Sequence, residues 1–443
     1  MPDPLFTSEL AAALAPGLLE RFDRYVRVDT QAVRERTHSP SSTGQIELGR
    51  VLVQDLHAAG LRDAAQDEHG YVFATLPATV PDAPVIGLIA HMDVSPDAPA
   101  AGVEPIVHRD YPGGVIELPR GGTRLDPVSM PALSAKHGHD IVTSSGDTLL
   151  GADDKAGVAE IVTAVAHLAA HPELPRPTLR VAFTPDEEIG QGASLFDIPA
   201  FGASCAYTLD GSEIGELQDE SFSAVEVRIA VRGVDVHPGT AYGKLVNALR
   251  VVAGIVAALP ADRLSPETTS GREGFLHPHL IEGDAARAEL RVIARDFDDD
   301  LLRAHVALLR VITDEALAAF PGARAEFDVR EQYRNMKSFI APEPRIVAAA
   351  EQALRAEGIE PVRTAIRGGT DGSLLSEMGL PTPNLFTGGH EYHSVREWAS
   401  LNDMAAAAAT VVRLAGVWAA SGGTGSAAAS RSAAAGDTGS AAA

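Results

Sequence analysis

The sequence predicts an α/β protein, a central mixed β-sheet flanked by helices with a second α+β domain inserted into it. Three observations predict this. Several short runs are apolar throughout, as strands buried on both faces are; acidic residues or histidines stand directly after those runs; and the middle of the chain alternates strand-like and helix-like periods with no cluster of such residues. Polar side chains at the carboxyl ends of core strands are where an open α/β sheet keeps its ligands.

From Ser8 to Val28, the residues Leu10, Leu14, Leu18, Leu19, Phe22, Tyr25 and Val26 recur at helical spacing, and Ser8 can cap them. The chain therefore opens with an amphipathic helix that covers the sheet. Val85 to Ala90 reads as a buried strand, followed at once by His91-Met92-Asp93. Gly157 to Leu168 carries a helical stripe of Val158, Ile161, Val162, Val165 and Leu168, with Asp153 and Asp154 in the turn before it. Thr178 to Phe183 and Cys205 to Leu209 are two further buried strands, leading to Glu187-Glu188 and to Asp210. Ala224 to Val231 then alternates, Leu245 to Leu259 is an amphipathic helix, Ala288 to Ile293 alternates again, and Asp300 to Ala319 is another helix. The expected organisation is a principal domain over 1–220 and 333–420, an inserted domain over 221–332, and a tail over 421–443. That tail is Gly, Ser, Thr and Ala, too poor in apolar area to offset its ordering entropy, and is expected to be disordered.

A chain of 443 residues with 45% hydrophobic composition has material for two structural units. Its net charge of -24, from 60 acids against 36 bases, repels phosphate backbones and anionic membrane surfaces, which argues against nucleic acid or membrane partners. A single cysteine, Cys205, excludes an internal disulfide framework and a thiolate zinc cluster, and fits a reducing compartment. The start has no basic stretch leading into a long apolar one, and no later segment reads as a bilayer-crossing run, so a soluble, cytoplasmic protein is expected.

Each polar cluster has an ordinary explanation by itself. His91-x-Asp93 can be a hydrogen-bonded histidine, Asp153-Asp154 a helix cap, Glu187-Glu188 an exposed acidic turn, Asp210-Gly211 a turn, and His393 a loop histidine. What those explanations leave out is that all five finish core elements of one domain. Two neighbouring divalent ions need a bridging carboxylate plus an imidazole and a carboxylate each, and His91, Asp153, Glu188, Asp210 and His393 supply that inventory. Of the adjacent Glu187 and Glu188, one can bind metal while the other serves as a base, and Asp93 can accept the second ring proton of His91. The expectation is a two-metal hydrolytic site.

Longer motifs sharpen this. Gly151 to Gly157, Val181 to Gly190, Ala206 to Gly211, His237-Pro238-Gly239-Thr240-Ala241, Val246 to Leu249, Arg295-Asp296-Phe297-Asp298 and Ile366 to Gly372 together resemble the tripeptide aminopeptidase branch of the M20 zinc peptidase family, over nearly the whole chain before the tail. The resemblance implies a zinc-peptidase catalytic domain with an inserted lid and dimerisation domain, two Zn2+ per subunit (with Mn2+ or Co2+ as alternatives), a tripeptide substrate and a homodimer. It implies that His91 and Asp210 complete one zinc, Glu188 and His393 the other, and Asp153 bridges them. Glu187 is then the general base, Asp93 orients His91, and His237 reaches the partner's active site to stabilise the oxyanion. Arg367, with Asn247 and Arg295, would hold the terminal carboxylate of the peptide. The loop Gly388 to Trp398 departs from the family, because His390 and Glu391 are new polar groups there; His393, in a His-Ser-x-x-Glu pattern with Glu397, remains the expected ligand. Two other readings stand beside this one: another M20 amidohydrolase, acting on dipeptides or N-acyl amino acids, and a catalytically silent metal-binding scaffold.

Overall fold

The structure is a computed structural model that describes residues 5–421. Ser421 closes the last helix, and the rest of the expected tail lies outside the described residues. The chain divides into two units. One takes the segments up to Asp219, Phe339–Thr364 and from Met378 onward; the other takes Glu220–Ser338 and Ala365–Glu377.

The first unit is organised by an eight-stranded sheet in the order Ala65–Gln66, Val72–Leu76, Leu179–Thr184, Ile86–His91, Cys205–Gly211, Asn384–Phe386, Glu216–Ser221, Val362–Ile366. Ile86–His91 is buried along its whole length, as its uninterrupted apolar sequence requires, and pairs in parallel with Leu179–Thr184 and with Cys205–Gly211. Val72–Leu76 runs antiparallel to its neighbour Leu179–Thr184, so the sheet is mixed. Register does the positioning. His91 lies level with Thr184, and Ile89 with Thr208, two residues short of Asp210, so three strands end at one edge of the sheet.

Ala152–Ala170 packs on the sheet against Ile86–His91 and Cys205–Gly211, whereas the opening helix, expected to cover the sheet, packs on other helices instead. Glu9–Val26 is capped by Ser8, whose hydroxyl accepts from the Ala11 amide at 3.0 Å, and buries Leu14, Leu18, Phe22, Tyr25 and Val26. It packs with Ala152–Ala170 and Leu401–Ser421. Leu401–Ser421 corrects the sequence reading: at 21 residues it is long and apolar enough to cross a bilayer, although 72% of its apolar window is buried inside the unit. Its apolarity is spread over alanines and broken by Asn402, Asp403 and Arg413, which is why no run stands out in the sequence.

The second unit is a four-stranded antiparallel sheet, ordered Phe275–Gly283, Arg287–Asp296, Ser223–Arg232, Arg324–Tyr333, with the helices Ala248–Ala258 and Asp299–Ala318 packed on one face. Val227, Ile229, Val231, Leu290 and Val292 from the sheet meet Val251, Val252, Ile255, Leu309 and Ile312 from the helices in one core. The two outer strands were not expected from the sequence. Phe275–Gly283 contains Pro278, and Arg324–Tyr333 is mostly exposed and charged, so neither shows a buried-strand pattern. This second strand also moves a boundary: Tyr333 pairs with Ala224 in this sheet, and Ala365–Glu377 belongs to the same unit, whereas the sequence reading returned to the principal domain at Tyr333.

Candidate active site

Five expected ligands and their neighbours meet where the strands end. His91 Nε2 lies 2.9 Å from Asp153 Oδ1 and 3.7 Å from Asp210 Oδ1. His393 Nε2 lies 3.2 Å from Asp153 Oδ2 and 3.0 Å from Glu188 Oε2. Asp153 therefore presents one oxygen to each imidazole. Local structure explains how it can: Asp153 and Asp154 have non-helical backbone angles at the start of the Ala152–Ala170 helix, so the Asp153 side chain leaves the helix direction and reaches both imidazoles. Asp154 turns the other way, accepting from the His91 amide at 3.0 Å.

Glu187 and Glu188 sit on a 3-10 turn, Glu187–Ile189. Asp93 holds that turn, since its Oδ1 accepts from the Glu187 amide at 3.0 Å and its Oδ2 from the Glu188 amide at 3.1 Å. Its contact with the His91 ring is chiefly through its backbone: Nδ1 lies 3.1 Å from the Asp93 carbonyl oxygen and 3.5 Å from Oδ1. One residue thus fixes both the imidazole tautomer and the paired glutamates.

The electrostatics are those of a cation site. Burial works against a charge on Asp153, but hydrogen bonds from His393 and His91 outweigh it and hold the carboxyl below its ordinary range. Burial, reinforced by the charge of Asp153, pushes Glu188 up to about 8. Hydrogen bonds to Asp153 and Glu188 push His393 up to about 11. Protons are shared among carboxylates and imidazoles too close together to leave uncompensated. Glu188 Oε1 is buried without a hydrogen-bond partner, and the ligand atoms of His91, Asp153 and Glu188, and separately of His91, Asp154 and Asp210, lie within 4.8 Å of one another, close enough to hold an ion. An imidazole and carboxylate donor set suits zinc, manganese or cobalt.

Supporting residues were less visible in the sequence. Glu397 accepts from the amides of Leu150 and Gly151, both at 2.7 Å, and of Asp153 at 2.9 Å, tying down the turn that carries Asp153. Its place four residues after His393 was the available signal. Asp97 Oδ2 lies 3.4 Å from His393 Nδ1, and Asp97 pairs in turn with Arg34. In the sequence it reads as part of a Ser-Pro-Asp turn and nothing more. Asp186, in the left-handed region at φ 62°, accepts from the Ser41 amide and from Gln45 Nε2 at 2.8 Å, which anchors the turn from the other side.

The other expected site residues belong to the second unit. His237 is exposed and its Nδ1 accepts from the Gly239 amide at 3.1 Å, so the ring proton is on Nε2. Asn247 caps the Ala248–Ala258 helix, its Oδ1 accepting from the Leu249 amide at 2.9 Å. Arg367 spends its guanidinium on a loop, donating to the carbonyls of Gly271 at 2.9 Å and Glu273 at 2.8 Å and to Thr269 Oγ1 at 3.0 Å. Arg295 is less committed: Nη1 donates to the Arg367 carbonyl at 3.3 Å, while the buried Nε has no hydrogen-bond partner.

Residues 149–416 match the model of peptidase family M20/M25/M40. Among curated proteins, the chain is 46% identical over 399 residues to a peptidase T of Vibrio parahaemolyticus and, over the same length, 46% identical to one of Geobacillus kaustophilus; each alignment covers 90% of this chain and 97% of the relative. Among solved structures, the fold is similar to an aminopeptidase PepT from Bacillus cereus, with a TM-score of 0.71 and 24% identity over 91% of this chain and 99% of that one. It is similar also to a tripeptidase from Staphylococcus aureus, with a TM-score of 0.73 and 22% identity over 92% and 99%. A dinuclear metal binding peptidase of the M20 family from Bacillus subtilis matches with a TM-score of 0.62 and 16% identity over 92% and 98%.

Proposed function

Because the chain belongs to peptidase family M20/M25/M40, and is similar along most of its length to peptidase T, we propose that it is a di-zinc aminopeptidase that releases the amino-terminal residue of tripeptides. The observation that carries this is the placement of Asp153 between two imidazoles, 2.9 Å from His91 and 3.2 Å from His393. We assign His91 and Asp210 to one ion, Glu188 and His393 to the other, and Asp153 to both. Bound divalent ions supply Lewis acidity and a water that ionises near neutral pH. Zinc is the assigned metal, with manganese and cobalt suited by the same donors.

The chain's own residues do the rest. Glu187, on the turn held by Asp93, takes a proton from the attacking water and delivers it to the departing amine. His237 offers its Nε2 proton to the developing oxyanion of a partner subunit's substrate, so the working form is a homodimer. For the peptide's terminal carboxylate we favour Arg295, whose guanidinium is less occupied by hydrogen bonds than that of Arg367, with Nη1 donating to the Arg367 carbonyl at 3.3 Å. Arg367 supports it by holding the 269–273 loop, and Asn247 by capping a helix. The single buried cysteine, Cys205, supports a cytoplasmic setting.

The test compares a free tripeptide with its carboxyl-amidated and amino-blocked forms. Cleavage of the free tripeptide well above both is expected; equal cleavage of all three would defeat the assignment in favour of a less selective amidohydrolase. Glu187→Ala should abolish turnover and leave the metal content intact, which also separates an enzyme from a metal-binding scaffold.

A further inference from the structure

A second polar cluster lies in the first unit, sharing no side chain with the site above. His390 is 7% exposed and stacks on Trp398, with ring centroids 4.1 Å apart and planes at 20°. The Ser212 hydroxyl donates to the Gly389 carbonyl at 2.7 Å, so towards His390 Nδ1, at 3.2 Å, it can only accept. Nδ1 therefore carries the ring proton, and Nε2 presents a lone pair. That lone pair is buried with no hydrogen-bond partner and faces Glu213 Oε2 at 4.0 Å. Two acceptors facing each other across that gap call for a positive charge between them.

The neighbouring groups do not supply enough of it. Lys136 Nζ lies 2.5 Å from Glu213 Oε1 and 2.8 Å from Asp403 Oδ2, but it offsets only one of the two negative charges. His139 Nδ1, 3.7 Å from Asp403 Oδ1, is 2.9 Å from the Ser400 hydroxyl and is held in its neutral form by burial. Burial likewise pushes His390 down to about 4, which keeps its lone pair available. Lone-pair atoms of Glu213, His390 and Asp403 lie within 4.8 Å of one another.

We propose that Glu213, His390 and Asp403 form an additional divalent-cation site, with one imidazole nitrogen and two carboxylates as ligands and Lys136 as a competing charge. That donor set takes zinc, manganese or cobalt rather than calcium.

The test is zinc content after equilibrium dialysis of the full chain against ZnCl2. His390→Phe keeps the stacking on Trp398 and removes Nε2, and it should hold one zinc per chain fewer than the unaltered protein. An unchanged count overturns the proposal. Glu213→Gln, at a half-exposed side chain, should lose the same ion and keeps the test open should the phenylalanine variant fail to fold. Lys136→Met removes the like charge and should bind that ion about tenfold tighter or more; unchanged affinity counts against the site. Because the readout is a difference of one ion, it does not depend on how many ions His91, Asp153 and His393 hold.

Discussion

The three amide bonds accepted by Glu397 make it the residue on which the placement of Asp153 depends. Glu397→Gln turns an NH2 group toward backbone donors and should cost about 1–3 kcal/mol of stability, read as a lowered melting temperature, along with weaker metal retention. Asp97→Asn removes the carboxylate beside His393 and should weaken metal binding by about 10- to 100-fold, measured by chelator competition. The titration of this centre gives a third expectation. After the metals are stripped by a chelator, His393 (about 11, against an ordinary 6.5) and Glu188 (about 8, against an ordinary 4.5) both have raised values in the folded chain. Groups raised in this way contribute stability that is complete below their ordinary values and is lost as pH climbs through the folded ones. The melting temperature of stripped protein should therefore fall as pH rises from about 4.5 to about 11, and that of metal-loaded protein should fall less. His91, Glu188 and Asp210 could be singled out in the sequence because each follows an apolar run, and Asp153 because it stands in the turn before a helical stripe. Asp97 could not, since turn acids are everywhere and only the fold brings this one to the site.

The elements divide by the kind of signal they leave. Ile86–His91, Leu179–Thr184 and Cys205–Gly211 are buried on both faces and therefore announce themselves as unbroken apolar runs. Phe275–Gly283 and Arg324–Tyr333 lie at the edges of their sheet, where solvent permits charge and proline, and they leave no such trace. Leu290, wholly buried beneath the two helices of the second unit, tests the packing that holds these weakly signalled strands: Leu290→Ala should destabilise the unit by about 2–5 kcal/mol in denaturant melts. Asn247 tests an assignment. As a helix cap, its change to Ala should cost about 1 kcal/mol of stability and leave KM for tripeptides nearly unchanged; a rise in KM for the free peptide alone would mark it as a carboxylate contact instead.

Across the whole molecule, the two-part division was legible because candidate ligands disappear from the middle of the chain, but the return of Ala365–Glu377 to the second unit was not. No local pattern in Ile366-Arg367-Gly368-Gly369 reveals which unit it serves, and only the tertiary contacts decide. The same long-range closure governs the metal centre. His91 and Asp153 come from the first half of the sequence, whereas His393 and its neighbour Glu397, which fastens the Asp153 turn, come from near the other end. A ribosome must therefore deliver almost the entire chain before the proposed metal centre can assemble.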